Sequence, residues 1–132
     1  MMSRPTYLKQ IKKIVVASAT NTIFVPADFY HITTPAKVGM CVKRLCESGE
    51  LNRLMRRLYI KPGNSYLNPD SVARAIARSY GGEAVPCGET ALYRAGIINK
   101  APSVWTYASD GQYSSCVYDG NIIEFKRTAK KG

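Results

Sequence analysis

Apolar residues recur at helical spacing along the first part of the chain, broken by polar punctuation. Residues 3–17 carry Tyr7, Leu8, Ile11, Ile14 and Val15, among which separations of three, four and seven recur, with Pro5 near the start. That spacing predicts a helix with one apolar stripe, from which Gln10, Lys12 and Lys13 point away. Lys12 and Lys13 are candidates to approach a nucleic-acid backbone. Residues 18–22 are small and polar and predict a loop. Ile23-Phe24-Val25 predicts a short strand, suited to pairing with a later hairpin, and Pro26 to Tyr30 a short helix with proline in its first turn. His31-Ile32-Thr33 reads as a turn.

The next helix is marked twice at its start. Thr34 is a capping residue and Pro35 suits the first helical position. Val38, Cys41, Val42 and Leu45 fall on one face, and Ala36, Lys37, Met40, Lys43 and Arg44 on the other. Gly39 lies inside this helix, where glycine costs about 1 kcal/mol relative to alanine. A close approach of another helix would account for it. Gly49 stops the helix. Residues 51–54 and 58–61 then read as two short strands, with Met55-Arg56-Arg57 at the tip and Arg53 close by.

Pro62-Gly63-Asn64-Ser65 reads as a turn and a boundary. Asn68-Pro69-Asp70 opens a further helix, lined on one side by Val72, Ala73, Ile76, Ala77 and Tyr80 and ended by Gly81-Gly82. Arg74 and Arg78 lie on its exposed side. Residues 83–86 predict a short strand and 89–95 a short helix closed by Gly96. Residues 104–108, 113–118 and 122–127 are rich in β-branched and aromatic side chains. Asp110-Gly111 and Asp119-Gly120 separate them, and Asp-Gly is a hairpin signal, so a three-stranded antiparallel meander is expected. Trp105 and Tyr107 share one face of it. That face is either an exposed aromatic binding surface or the side packed on the helix of 69–80. Lys130-Lys131-Gly132 reads as a frayed basic tail.

The expected class is therefore α+β. Residues 1–61 run helix, short helix, turn, helix, hairpin, which is the order of a winged helix-turn-helix. Residues 62–132 are expected to form a compact region of helices and a three-stranded antiparallel sheet.

Charge adds a partner. Residues 1–61 hold eleven Lys/Arg and three acids, whereas residues 62–132 hold eight and six. The positive field belongs to the first part and implies double-stranded DNA as its polyanion. The residues placed to meet it are Thr34, Lys37, Met40, Lys43 and Arg44 on the helix, in the major groove. Arg53, Arg56 and Arg57 at the hairpin tip are placed for a phosphate or the minor groove. The helix taken alone also reads as an ordinary solvated face; the hairpin and the preceding helices favour DNA.

Other chemistry finds little support. The longest apolar runs, such as residues 14–19, are too short to span a membrane, and no signal-peptide layout is seen, so a cytoplasmic location is expected. Cys41, Cys46, Cys87 and Cys116 form no CxxC pair and His31 is the one histidine, which predicts reduced thiols, no metal and no cofactor. The chain shows no Gly-rich phosphate loop, no paired carboxylates at helical spacing and no nucleophile–base motif, so an enzyme is not expected.

The runs GELNRLMRRLYIKP, NPDSVARAIARSYG, VPCGETALYRAGI and DGNIIEFKRTA carry a resemblance. Over about residues 24–128 the chain resembles the antitoxins of type IV toxin–antitoxin systems of the AbiE kind, in particular short members with a winged helix and a compact C-terminal domain. The resemblance implies a bacterial repressor of its own promoter and a nucleotidyltransferase toxin countered through the C-terminal region. Two departures stand out. Related wings often carry glycine near position 57, where this chain has Met55-Arg56-Arg57, and the C-terminal region is shorter. The later aromatics Trp105 and Tyr107, with Lys126 and Arg127, are the expected contacts to a protein, either such a toxin or a second copy of the chain. The alternative to a DNA-binding regulator is a toxin-neutralising or dimerising module whose winged helix binds no DNA.

Overall fold

Thr6 starts the first helix. Its hydroxyl accepts from Lys9 N at 3.1 Å, and α1 runs Tyr7–Ala17. The start expected at residues 3–5 lies outside the described residues, which are 6–63, 67–111 and 113–128 of this computed structural model. At the other end of α1, Lys61 Nζ donates to the carbonyls of Val16 at 2.8 Å and Ser18 at 2.6 Å, a side-chain cap on groups the helix leaves unpaired.

The chain then forms β1 (Ile23–Phe24) and a 3-10 turn, Pro26–Phe29, whose Asp28 carboxylate accepts from Val25 N at 2.9 Å. In α2 (Pro35–Glu47), Thr34 Oγ1 accepts from Lys37 N at 3.4 Å. Its end is a Schellman turn: Gly49, at φ +88°, donates to Cys46 O at 3.3 Å and Glu50 N to Leu45 O at 3.0 Å. A hairpin of β2 (Asn52–Met55) and β3 (Leu58–Ile60) follows.

The short strand β1 pairs antiparallel with β3, Ile23 opposite Ile60 and Phe24 opposite Tyr59, giving the sheet order β1-β3-β2. Lys61 continues the ladder, donating to Thr22 O at 3.0 Å and accepting from Asn21 N at 2.9 Å. Even Gly63 belongs here, since a Cβ on it would stand 2.6 Å from Asn21 Oδ1. The first compact unit runs Met1–Tyr66. Asn64 and Ser65 of the expected turn lie outside the described residues. The unit's core joins Ile11 and Val15 of α1, Phe24 and Phe29 (rings 5.6 Å apart), Val38, Cys41, Val42 and Leu45 of α2, and Leu51.

The second unit, Leu67–Gly132, holds α3 (Pro69–Ser79), β4 (Ala84–Pro86), α4 (Gly88–Arg94), β5 (Val104–Ser109), β6 (Cys116–Tyr118) and β7 (Asn121–Arg127). Asn68 Oδ1 caps α3 by accepting from Ser71 N at 2.9 Å. Tyr80 is not part of its buried side; it is exposed and stacks on Tyr113 at 5.0 Å.

The expected three-stranded antiparallel meander does not form. The sheet has four strands in the order β4-β5-β7-β6; β5 pairs parallel with β7, from Val104 opposite Ile122 to Ser109 opposite Arg127. The two Asp-Gly pairs explain why. Asp119 and Gly120 take φ +50° and +79°, as a two-residue hairpin requires, and join β6 to β7. Gly111 does not take a positive φ. The Asp110 carboxylate instead accepts from Glu83 N at 3.3 Å and Tyr113 OH at 3.1 Å. The chain therefore runs on past the turn, and β6 lands on the far side of β7.

α3 packs on β4, β5 and β7 through Val72, Ala73, Ile76 and Ala77. The Asp70 carboxylate holds this unit together at one end: it accepts from Tyr107 OH and from Arg94 Nε at 2.6 Å. The Arg94 guanidinium also lies 5.2 Å from the Trp105 ring centroid. Burial and the bond to Asp70 push the Tyr107 phenol well above its ordinary value. Replacing Asp70 by Ala leaves both donors without their acceptor. The expected loss is about 2–4 kcal/mol of stability of the second unit. Urea unfolding followed by the fluorescence of Trp105, the one tryptophan, measures it; an unchanged midpoint would refute a structural role for the cluster.

Candidate nucleic-acid interface

The outward side of α2 follows from its inward side. With Val38, Cys41, Val42 and Leu45 buried, Ala36, Lys37, Gly39, Met40, Lys43, Arg44 and, at the helix end, the acid Glu47 are left exposed. Thr34 is exposed as well, its hydroxyl engaged at the helix start. Lys37, Met40 and Arg44 line one shallow groove of about 200 Å³ together with Thr6, Tyr7, Leu8 and Cys41. Lys43 points from the same exposed side. The Lys37 ammonium sits 5.3 Å from the Tyr7 ring centroid, so an aromatic face of α1 orients a cation of α2.

Spacing assigns Tyr7 to the apolar stripe of α1, but it is 42% exposed. Its position directly after the capping Thr6, at the helix start, is the signal that it stands at the edge of the core. Gly39 also differs from expectation. Among the described residues no other helix approaches it: a Cβ built there meets nothing within 4 Å.

Arg53, Arg56 and Arg57 are all exposed on the β2–β3 hairpin. Arg53 stands opposite Tyr59 on β2, and Met55 pairs with Leu58, so the two-residue tip is Arg56-Arg57. Arg57 has φ +68°, the left-handed conformation that glycine adopts freely and other residues adopt at a cost. Arg53 also acts on Cys46: burial pushes that thiol up, and the nearby guanidinium partly offsets the effect.

Two of the three acids of this unit are drawn into its own structure, and the third, Glu47, is exposed at the end of α2. Asp28 holds the 3-10 turn, and Glu50 accepts from Ser48 Oγ and pairs with Lys12 at 3.2 Å. Ser48 and Lys12 hold the Glu50 carboxyl below its ordinary value. Lys12 is thereby committed to an internal contact.

Two of the expected protein-contact residues are core. Trp105 and Tyr107 are 6% and 0% exposed, because β5 alternates and turns both rings inward with Ser109. Trp105 meets Tyr93 edge-on at 5.7 Å and donates to Asn121 Oδ1 at 3.3 Å. Packing on the unit's own helices is thus the reading of that face that holds. Lys126 and Arg127 are exposed at the end of β7. On the strands, Val85, Val117 and Ile122 of β4, β6 and β7 face out, and Leu92 and Ile97 are exposed on and just after α4.

Residues 10–132 match the model of a family described as a family of unknown function, DUF6088. The chain belongs to the DUF6088 family. The match begins inside α1 and extends through both units. No curated protein matches the chain. In this DUF6088 member the four cysteines are free thiols, Cys41 buried and the others half-buried. Among the described residues no cluster of His, Cys, Asp and Glu could hold a metal ion, and no helix is long and apolar enough to cross a membrane.

The tip offers a direct test of how it is built. Arg57→Gly removes the backbone cost of a left-handed arginine and is expected to raise stability by up to about 1 kcal/mol. Thermal unfolding followed by circular dichroism checks this. A destabilised variant would mean that the Arg57 side chain holds the tip more strongly than its backbone opposes it.

Proposed function

We propose that this protein is a DNA-binding transcriptional regulator of antitoxin type. In this reading the first unit is a winged helix-turn-helix: α2 enters the major groove and the β2–β3 hairpin is the wing. One observation carries the reading. Burial of one side of α2 sends Lys37, Met40, Lys43 and Arg44 outward, in a unit whose hairpin is braced by β1 and ends in Arg56-Arg57. Lysine and arginine on such elements neutralise phosphates and release counterions, which gives affinity; contacts to base edges give sequence preference.

The resemblance to AbiE-type antitoxins supplies the rest of the proposal. The target is the protein's own promoter, the setting is the bacterial cytoplasm, and the second unit counters a nucleotidyltransferase toxin. No chemistry of its own is assigned to the chain. With Trp105 and Tyr107 in the core, contact to an acidic partner falls to the exposed Lys126 and Arg127. Val85, Val117 and Ile122 favour a protein partner for this unit, whether a toxin or a second copy, because exposed apolar side chains are the usual anchors of such contacts.

Reversing Lys37 and Arg44 to Glu together is expected to abolish binding to the protein's own upstream DNA with the circular dichroism spectrum unchanged. The slope of log affinity against log salt should fall by about one unit for each phosphate no longer neutralised. Retained binding in a fluorescence anisotropy titration would remove α2 from the interface. At the wing, Arg56→Ala with Arg57→Ala should weaken upstream and random DNA by similar factors. A loss confined to upstream DNA would instead make the wing a reader of bases.

A further inference from the structure

Two neighbouring exposed residues of α2 have no explanation within the fold. Gly39 sits in mid-helix, yet its backbone is not left-handed and a Cβ there would meet nothing within 4 Å. Neither packing nor geometry asks for glycine, and alanine would stabilise the helix. Met40 is 63% exposed, the largest exposure of any large apolar side chain among the described residues of the first unit. It lies three residues from both Lys37 and Lys43 and four from Arg44, so it sits amid three cations on one face.

An apolar side chain ringed by phosphate-seeking cations is placed for the floor of a groove, not its rim. The floor of the major groove offers one apolar feature, the C5 methyl of thymine. A flexible, unbranched thioether adapts well to such a contact. The missing Cβ of Gly39 lets the helix backbone come closer to the base edges beside it. We propose that Met40 reads a thymine methyl in the major groove and that Gly39 provides the close approach this needs. The assignment rests on the DNA-binding reading and adds to it the residue that sets specificity and the base feature it takes.

The test uses the full chain and its own upstream DNA, amplified either with dTTP or with dUTP and primers that carry uracil in place of thymine. The second product lacks every thymine methyl and keeps its base pairing. Wild type should bind the uracil duplex at least about fourfold more weakly, the effect of leaving one methyl-sized group unburied. Met40→Ala should bind thymine DNA more weakly by a similar factor and no longer distinguish the two duplexes, whereas Met40→Leu should keep the distinction. Gly39→Ala should melt at a higher temperature yet lose affinity for upstream DNA. Equal binding of both duplexes by wild type overturns the inference. So does a Met40→Ala variant that keeps the wild-type ratio, since the methyl would then be sensed elsewhere. Failure of the regulator reading looks different: wild type would bind upstream thymine DNA no better than random thymine DNA.

Discussion

Val38, Cys41, Val42 and Leu45 are buried together against α1 and the segment around Phe24 and Phe29, and that burial sets the rotation of α2. Each of the larger side chains is worth about 1.5–3 kcal/mol when removed from water. Repulsion among like charges on a helix surface amounts to a few tenths of a kcal/mol per pair. The core therefore decides, and Lys37, Lys43 and Arg44 are held close together on the outer side although they repel one another. A basic surface assembled in this way needs no acidic neighbours to order it. Two of the unit's three acids lie elsewhere, Asp28 on a 3-10 turn and Glu50 on Lys12, and the third, Glu47, stands exposed at the end of α2.

The hairpin depends on the same core through a longer chain of contacts. Two short strands alone are marginal in water. Here Leu51 is buried where the hairpin begins and Leu58 beside its tip, and β1 adds a third strand beside β3. Lys61 then ties the strand end to α1 by capping Val16 and Ser18. The tip can carry Arg56 and Arg57 outward because its stem is fixed at three points. A lysine that looks like part of the basic field is in fact structural.

The helices and caps are legible in the sequence because their signals are local. Thr34-Pro35 and Asn68-Pro69 open helices, and Gly49, Gly81 and Gly96 close them with positive φ, as the chain order suggests. The apolar run 23–25 also pairs where expected, since the hairpin is the nearest partner with open hydrogen bonds. The second sheet departs from expectation where pairing is non-local. Asp110-Gly111 and Asp119-Gly120 are the same dipeptide, and one becomes a hairpin while the other is held by Glu83 and Tyr113. No spacing rule separates them. Alternation on β5 places Trp105 and Tyr107 on one face, but which face is covered depends on α3 and Arg94, which sequence spacing does not locate. The outward residues of α2 are legible from periodicity; Tyr7, at the edge of that surface, is not.

Within the first unit, two residues break a local rule in opposite directions. Arg57 occupies a left-handed position where glycine would be unstrained, and Gly39 occupies a helical position where alanine would be more stable. By backbone preference, exchanging either would improve the fold. That preference gives no reason to keep an arginine where a side chain is strained and to omit one where there is room. Sites where local preference is overridden are the ones where a sequence answers to function as well as to folding. A charge presented at the hairpin tip and a backbone left bare on α2 both make sense if a polyanion lies against these two elements. The same reasoning separates them from Trp105 and Tyr107, whose surroundings account for them fully.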